Sequence, residues 1–109
     1  MHHDEIPPGT LYLLILKALA RGGELHGYEI ATWIERVSEE VLQVQEGSLY
    51  PALQRMLIKG WVNAKWGVTS GNRRARYYRL TSLGRKQLAV EVSQFERVVQ
   101  AITRAIQTA

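Results

Sequence analysis

Four arginines lie within seven consecutive residues in the second half of the chain, where they could bind the phosphates of a polyanion. They are Arg73, Arg74, Arg76 and Arg79. A guanidinium group is permanently charged and donates paired hydrogen bonds to a phosphate, so such a cluster is typical of phosphate-binding surfaces. A basic loop without a partner is the alternative interpretation.

The distribution of charge along the chain favours the first interpretation. Residues 1–54 contain three basic and eight acidic residues, a net charge of −5. Residues 55–109 contain eleven basic and two acidic residues, a net charge of +9. A basic half of this kind indicates a polyanionic partner such as nucleic acid, although a solvated basic surface would have the same composition.

Residues that commonly carry out catalysis or bind metal ions are sparse. The sequence contains no cysteine, which excludes disulfides, thiolate nucleophiles and thiolate metal sites. It has no glycine-rich phosphate-binding motif, and we expect no histidine to pair with a carboxylate at helical spacing in the ordered part of the chain. A loose metal site is conceivable at His2, His3, Asp4 and Glu5, but terminal polar residues are usually just solvated. The sequence therefore predicts no catalytic residue, no metal site and no cofactor, and it argues against an enzyme.

The apolar segments are too short for a membrane protein. The longest apolar run, Leu11 to Leu16, is far below the roughly 20 residues that a membrane-spanning helix needs. The first eight residues are polar and turn-like and do not resemble a signal peptide. We therefore expect a cytoplasmic protein with one small core.

The element that must position the polar side chains is the stretch 47–60. Four apolar residues fall on one helical face, namely Leu49, Leu53, Met56 and Leu57. The opposite face holds Ser48, Pro51, Gln54, Arg55 and Ile58. A short helix that is apolar behind and polar in front is typical of the recognition helix of a helix-turn-helix.

Proline and glycine predict the limits of this helix. Proline is tolerated in the first helical turn, where its missing N–H would be unpaired anyway. If Ser48 is the N-cap, Pro51 becomes the third helical residue. Gly60 is expected to end the helix. The end that reads bases would then run from Ser48 to Arg55.

Two further helices are predicted before this one, at residues 10–21 and 27–37. Thr10 is expected to cap the first, and Gly22-Gly23 to end it. The inner face of the second is expected to comprise Ile30, Ala31, Ile34 and Val37. The turn at 38–46 is expected to be anchored by Val41, Leu42 and Val44. His26, just before the second helix, could cap it or contact a phosphate, and the structural role is the more common one.

A basic hairpin follows the third helix. Residues 61–66 alternate, with Val62, Ala64 and Trp66 on one face, and residues 75–80 form the return strand with Tyr78 and Leu80 facing inward. Three helices followed by such a hairpin predict a winged helix, whose arginines suit phosphates or a minor groove. The tryptophans Trp33, Trp61 and Trp66 are expected to pack in the core, the alternative being that they line a pocket between subunits.

The last segment, 82–108, is predicted to be one long helix with Thr81 as its N-cap. Its apolar residues Leu88, Val92, Phe95, Val99, Ile102 and Ile106 repeat at the 4-3 spacing of a heptad seam. The first helix is apolar nearly all round, with Leu11 and Leu14 at its start, which indicates burial on more than one side. Packing of the first helix against the last helix across a dimer would account for the apolar surface of the first helix and for the heptad seam. The alternative is that the two helices pack together within one chain.

Three motifs of the sequence form a recognisable combination. They are Gly47-Ser48-Leu49-Tyr50-Pro51-Ala52-Leu53 with Arg55 and Lys59-Gly60-Trp61-Val62, His26-Gly27-Tyr28-Glu29-Ile30, and residues 72–81 with Gly84 after them. Together they resemble the signature of PadR-type transcriptional regulators. The resemblance implies a dimeric winged helix, usually a repressor, that binds a pseudo-palindromic operator and dimerises through its C-terminal helix. It implies DNA contact at Ser48, Tyr50, Pro51 and the basic wing. A single C-terminal helix is similar to that of the short-tailed branch of the family.

The sequence thus predicts a mainly α fold with a small β-hairpin, a winged helix-turn-helix at 1–81 and a dimerisation helix at 82–109. The predicted function is a homodimeric DNA-binding repressor, the alternative being a winged-helix protein-interaction module, which the outward Ile58 favours. A small-molecule effector is compatible with this function, but no residue identifies one. Gln54 could bond an adenine edge, and Arg55 a guanine edge or a phosphate. The candidate DNA-binding residues are Ser48, Tyr50, Pro51, Gln54, Arg55, Lys59, Arg73, Arg74, Arg76, His26 and Tyr28. The candidate dimerisation residues are Leu88, Val92, Phe95, Val99, Ile102, Ile106, Leu11 and Leu14.

Overall fold

The computed structural model describes residues 4–6 and 9–109, and only the backbone at positions 4 and 5. The metal-binding possibility at His2, His3, Asp4 and Glu5 lies outside the described side chains. The elements in chain order are β1 (Asp4–Glu5), α1 (Leu11–Gly22), β2 (Glu24–His26), α2 (Gly27–Val37), β3 (Leu42–Gln43), α3 (Glu46–Ile58), β4 (Val62–Val68), β5 (Arg74–Leu80) and α4 (Ser82–Gln107). The mainly α fold with a β-hairpin is confirmed. No helix in the described part of the chain is long and apolar enough to cross a membrane.

The hairpin is part of a three-stranded antiparallel sheet. The strand order is β2-β5-β4, and β2 pairs with β5 from Glu24 opposite Arg79 to His26 opposite Tyr77. Strands β1 and β3 form a separate two-residue parallel pair. These short strands were not predicted, because two or three residues show no measurable alternation and their partners lie far away along the chain.

The core forms where α1, α2, α3 and the inner face of the sheet meet. Its fully buried side chains include Ile15, Leu16, Leu19, Ile30, Ile34, Leu49, Leu53, Met56 and Val62. The predicted inner faces of α2 and α3 are therefore largely confirmed, as is the inward direction of Tyr78 and Leu80. Two predictions are wrong: Val37 was expected on the inner face of α2, and Val41 was expected to anchor the turn that follows. Both side chains are exposed, because the chain turns away from the core at the end of α2.

Helix α3 begins two residues earlier than Ser48, and its N-cap is Gln45. The predicted N-cap at Ser48 is wrong. The backbone N–H groups of Ser48 and Leu49 both donate to the Gln45 carbonyl, at 3.0 and 2.9 Å, so the first turn is already wound before Ser48. Pro51 consequently lies in the second turn, where the residue four before it is Gly47. The end of the helix is as predicted, since Gly60 has a φ of +77° just beyond the C-cap.

Hydrogen bonds and close packing hold the first turn of helix α4 against the preceding domain. The Thr81 Oγ1 accepts a hydrogen bond from the Gly84 N–H at 3.0 Å and donates one to the Gly60 carbonyl at 2.6 Å. Gly84 lies so close to the Trp61 carbonyl that a Cβ would come within 2.0 Å of that oxygen. Helix α4 also packs on α1, where Leu88 touches the core. The predicted N-cap at Thr81 is confirmed.

Candidate nucleic-acid interface

The face of α3 that points away from the core is exposed along its whole length. It carries the five residues that the helical pattern placed there, namely Ser48, Pro51, Gln54, Arg55 and Ile58. The buried face consists of Leu49, Ala52, Leu53 and Met56, which hold the helix rigidly against α1 and α2. A helix held from behind in this way presents its outer face as a fixed surface.

Tyr50 lies at the border of this face and leans on α2. A Cβ added to Gly27 would lie only 2.7 Å from the Tyr50 hydroxyl oxygen, so the ring fits because Gly27 has no side chain. Tyr28, two residues into the same helix turn, is among the most exposed aromatic residues of the described chain. The first turn of α2 and the first half of α3 therefore contribute to one surface.

His26 caps α2, which is the structural role predicted for it. Its Nδ1 accepts from the Glu29 N–H at 3.4 Å, and Glu29 Oε1 accepts from the His26 N–H at 3.1 Å. The same carboxylate lies 3.6 Å from His26 Nε2, so the expectation that no histidine would pair with a carboxylate at helical spacing is wrong. The ring also packs edge-on against Tyr77. His26 thereby joins the start of α2 to the sheet.

The inner face of β5 continues from the core into the distal part of the β4–β5 hairpin, which we call the wing. Tyr78 is buried on this face, and Arg76 and Arg74 follow it at two-residue intervals toward the tip. Burial raises the pKa of the Tyr78 hydroxyl, although the nearby Arg76 charge lowers it. Arg79 lies on the opposite face, in register with Glu24. The sheet therefore separates two arginines on the α3 side from one that points away.

Trp66 organises the two inner-face arginines. It lies opposite Arg76 in the β4–β5 register. The guanidinium carbon of Arg74 is 4.5 Å from the centre of the Trp66 ring, and that of Arg76 is 6.0 Å from it. The expectation that Trp66 packs in the core is wrong, because 59% of its surface is exposed. The alternation had placed it on the core side of β4, but the strand extends beyond the helices, so this end of the face meets arginines instead.

The tip of the wing is a closed turn. The Thr69 N–H donates to the Arg73 carbonyl at 2.8 Å, and the Asn72 N–H donates to the Thr69 carbonyl at 2.9 Å. Asn72 has a φ of +61°, a left-handed conformation that asparagine tolerates better than most residues. Arg73 leaves the turn exposed, and its backbone N–H donates to the Thr69 hydroxyl.

The first turn of α2, helix α3 and the β4–β5 hairpin enclose an open cavity of about 700 Å³. Its lining includes Tyr28 from α2, Tyr50 from α3, and Trp66, Arg73 and Arg74 from the wing. Most of the predicted DNA-binding residues from distant parts of the sequence thus meet at one concave, basic and aromatic surface. We call this surface, together with the exposed face of α3, the basic cleft.

Arg55, at the edge of the exposed face of α3, and Lys59 lie on the flank of α3 away from Tyr50. The Arg55 Nε–H donates to the Tyr12 hydroxyl, and its guanidinium lies 5.6 Å from the centre of the same ring. The Lys59 ammonium lies 5.2 Å from the centre of the Trp61 ring, and that ring packs edge-on against Tyr12. Contacts with aromatic rings therefore set the orientation of Arg55 and Lys59, two of the predicted DNA-binding side chains. The sequence had offered no reason to connect Tyr12 with Arg55, since 43 residues separate them.

The described residues contain no group of three or more histidine, cysteine, aspartate or glutamate side chains suited to a metal ion. The chemistry of the basic cleft is therefore that of charge, hydrogen bonding and ring stacking. Such a surface can neutralise phosphates, while polar side chains on the exposed face of α3 can bond base edges.

Removing the Trp66 ring should weaken binding to duplex DNA by about fivefold at 100 mM salt, since an exposed cation–π contact contributes roughly 0.5–1 kcal/mol and two arginines depend on this ring. Fluorescence anisotropy with Trp66→Ala and Trp66→Phe measures the effect. The phenylalanine variant should retain most of the affinity, because it keeps an aromatic face under Arg74. Equal losses in both variants would contradict this role.

Comparison with known proteins places the chain among regulators of transcription. The model of the transcriptional regulator PadR-like family matches residues 15–90. An uncharacterized protein from Lysinibacillus sphaericus is 31% identical over 102 residues, which cover 94% of this chain and 93% of that protein. A transcriptional regulator from Clostridium thermocellum has a similar structure, with a TM-score of 0.80 and 28% identity over 88% of this chain and 92% of its own. Bacillus subtilis PadR, solved in complex with operator DNA, shares the fold with a TM-score of 0.66 and 24% identity over 76% of this chain and 46% of its own.

Proposed function

Because the chain belongs to the transcriptional regulator PadR-like family and is a DNA-binding regulator of transcription, we propose that it acts as a homodimeric repressor on a pseudo-palindromic operator. The observation that carries the proposal is the basic cleft, where the exposed face of α3 and the Trp66-supported arginines of the wing form one surface. A protein of the same fold, Bacillus subtilis PadR, has been solved with operator DNA, which supports this use of the fold.

In this proposal, α3 enters the major groove and its outward residues meet base edges. Gln54 bonds an adenine edge, while Ser48 and Tyr50 bond phosphates and fix the register. Pro51 lies against the groove between them. Because α3 begins at Glu46 rather than Ser48, its first turn also approaches the DNA.

Residues around α3 supply the charge. Arg74 and Arg76 reach phosphates or the adjacent minor groove from the wing, and Arg73 extends the contact at the tip. Arg55 and Lys59 bind phosphates from the other flank, which replaces the guanine contact first considered for Arg55. His26 acts by holding the first turn of α2, from which Tyr28 reaches the backbone.

The second copy of α3 comes from a homodimer built on α4. From Phe95 onward the apolar seam of α4 is exposed in the single chain, with Val99, Ile102 and Ile106 following it. Val98, Ala101 and Ala105 lie beside this seam, so the apolar stripe is wider than a two-stranded coiled coil needs. A stripe of this width suits a bundle in which α4 packs on both α4 and α1 of the partner. Leu11 and Leu14, half-buried at the start of α1, would complete that contact.

The proposed division of labour is DNA binding by residues 1–81 and dimerisation by residues 82–109. Repression follows if the dimer occupies a promoter and excludes the polymerase, in the cytoplasm at the nucleoid. The proposal includes no assigned effector, since the basic cleft faces DNA.

A salt titration tests the proposal. Binding of the 109-residue chain to the promoter of its own operon, measured by fluorescence anisotropy between 50 and 200 mM salt, should weaken by about 10³-fold if six phosphates are neutralised. Random duplex should bind more weakly, with a similar dependence on salt. A winged-helix protein-interaction module would show no salt-dependent binding to either duplex, and that result would overturn the proposal.

A further inference from the structure

We propose that Ile58 is a specificity-determining residue that recognises thymine through its C5-methyl group. The inference rests on the proposed binding of α3 in the major groove and deepens it by naming a base. Ile58 is the most exposed large hydrophobic side chain of α3, with 77% of its surface accessible. It lies in the last turn of a helix whose leucine and methionine side chains pack inward.

The helix turns Ile58 toward the same side as Gln54 and Pro51. These residues follow one another at spacings of three and four, so they form a single stripe along the outer face of α3. All three are exposed and uncharged. All three residues of the stripe lie opposite the buried residues Leu49 and Met56. The stripe is therefore the part of α3 that would enter a major groove most deeply.

The charged residues near Ile58 are directed away from this stripe. Arg55 is held by the hydroxyl and ring of Tyr12, and Lys59 lies over the Trp61 ring. The central stripe therefore offers one amide and two apolar groups. An arginine or lysine on the stripe would favour guanine, whereas a stripe without charge favours A·T pairs.

Thymine is the base whose major-groove edge suits an aliphatic side chain. It alone presents a methyl group there, while adenine presents the donor and acceptor pair that matches a glutamine amide. Gln54 and Ile58 are four residues apart, which is about 6 Å along the helix axis. Two base-pair steps of about 3.4 Å cover nearly the same distance. The thymine read by Ile58 should therefore lie within about two base pairs of the adenine read by Gln54.

A docking site for a protein would need a larger apolar surface than Ile58 provides. The positions that flank it on the outer half of α3 are Gln54, Arg55 and Lys59, all of them polar and exposed. A single aliphatic side chain among polar neighbours matches the size of one methyl group on a base edge.

The test combines base and side-chain substitution. Duplexes that bind the 109-residue chain are selected from a random library, and each thymine of the enriched half-site is replaced in turn by dU, which lacks only the methyl group. One replacement should weaken wild-type binding by about fourfold, as expected for losing the burial of a single methyl group. Ile58→Ala should weaken binding to the thymine duplex by a similar factor or more, and should no longer distinguish dT from dU at that position.

Val37→Ala is the matched control, because Val37 is another exposed aliphatic side chain and lies at the end of α2. It should leave both affinity and the dU response unchanged, and both variants should melt at the wild-type temperature. If Ile58→Ala keeps the wild-type response to every dU, the Ile58 inference is overturned while DNA binding stands. If no duplex is enriched and binding does not depend on salt, the proposed function fails instead.

Discussion

Replacing Ile102 with lysine is expected to convert the proposed homodimer to a monomer and to weaken operator binding by about 10²–10³-fold, because the second half-site would no longer benefit from the effective concentration that dimerisation supplies. Ile102 lies in the middle of the exposed seam of α4, and 54% of its surface is accessible in the single chain. A charged ammonium buried in an apolar interface without a partner strongly opposes association. The domain itself should still fold, since the Ile102 side chain contributes nothing to the core cluster.

Light scattering and sedimentation velocity at micromolar concentration measure the assembly, and fluorescence anisotropy measures the affinity. The matched control is Gln100→Lys, which adds the same charge two residues away on the opposite, polar face of α4. It should remain dimeric with nearly unchanged binding. A dimeric Ile102→Lys variant, or a wild-type monomer, would contradict the two-half-site geometry.

Removing Arg74 and Arg76 together is expected to weaken binding to operator and random duplex alike, by about 30- to 100-fold at low salt, and to reduce the slope of log affinity against log salt by about two. The loss should be uniform across sequences, because phosphate contacts carry affinity without reading bases. The guanidinium carbons of Arg74 and Arg76 lie over the Trp66 ring, at 4.5 and 6.0 Å from its centre, so both groups are oriented before DNA binds. The double variant should therefore lose much more than Trp66→Ala, which leaves both charges in place.

A control with the same net charge separates direct contact from the general field. Arg79 lies on the opposite face of β5, and Arg97 lies on the polar face of α4. Arg79→Ala with Arg97→Ala should cost only a few-fold in affinity, with a salt slope close to that of the wild type. If the two double variants behave alike, the wing makes no direct contact with DNA and only the overall charge matters.

Much of the architecture follows from local features of the sequence. The apolar spacing in α3 predicted its buried face, and Thr81 predicted the start of α4, because helix periodicity and capping depend on residues within one or two turns. The basic second half likewise predicted a polyanionic partner, since charge is a property of composition. The order of three helices and a hairpin was sufficient for the winged helix.

The start of α3 shows where local reasoning stopped being sufficient. Proline is acceptable at several positions of the first two turns, so Pro51 alone did not determine the N-cap. The backbone hydrogen bonds to the Gln45 carbonyl decided it. Similarly, β2 forms because it pairs with the edge of β5, and the residues Glu24–His26 contain no local pattern that predicts a strand.

The sequence by itself determined which segments are helical, which faces are buried and where the positive charge is concentrated. Only the tertiary structure decided what each candidate DNA-binding side chain contacts. Trp66 supports Arg74 rather than the core, and Tyr12 turns Arg55 away from the central stripe of α3. The physical reason is that burial patterns repeat with the local period of a helix or strand, whereas these side-chain contacts join residues whose separation is set by the packing of whole elements.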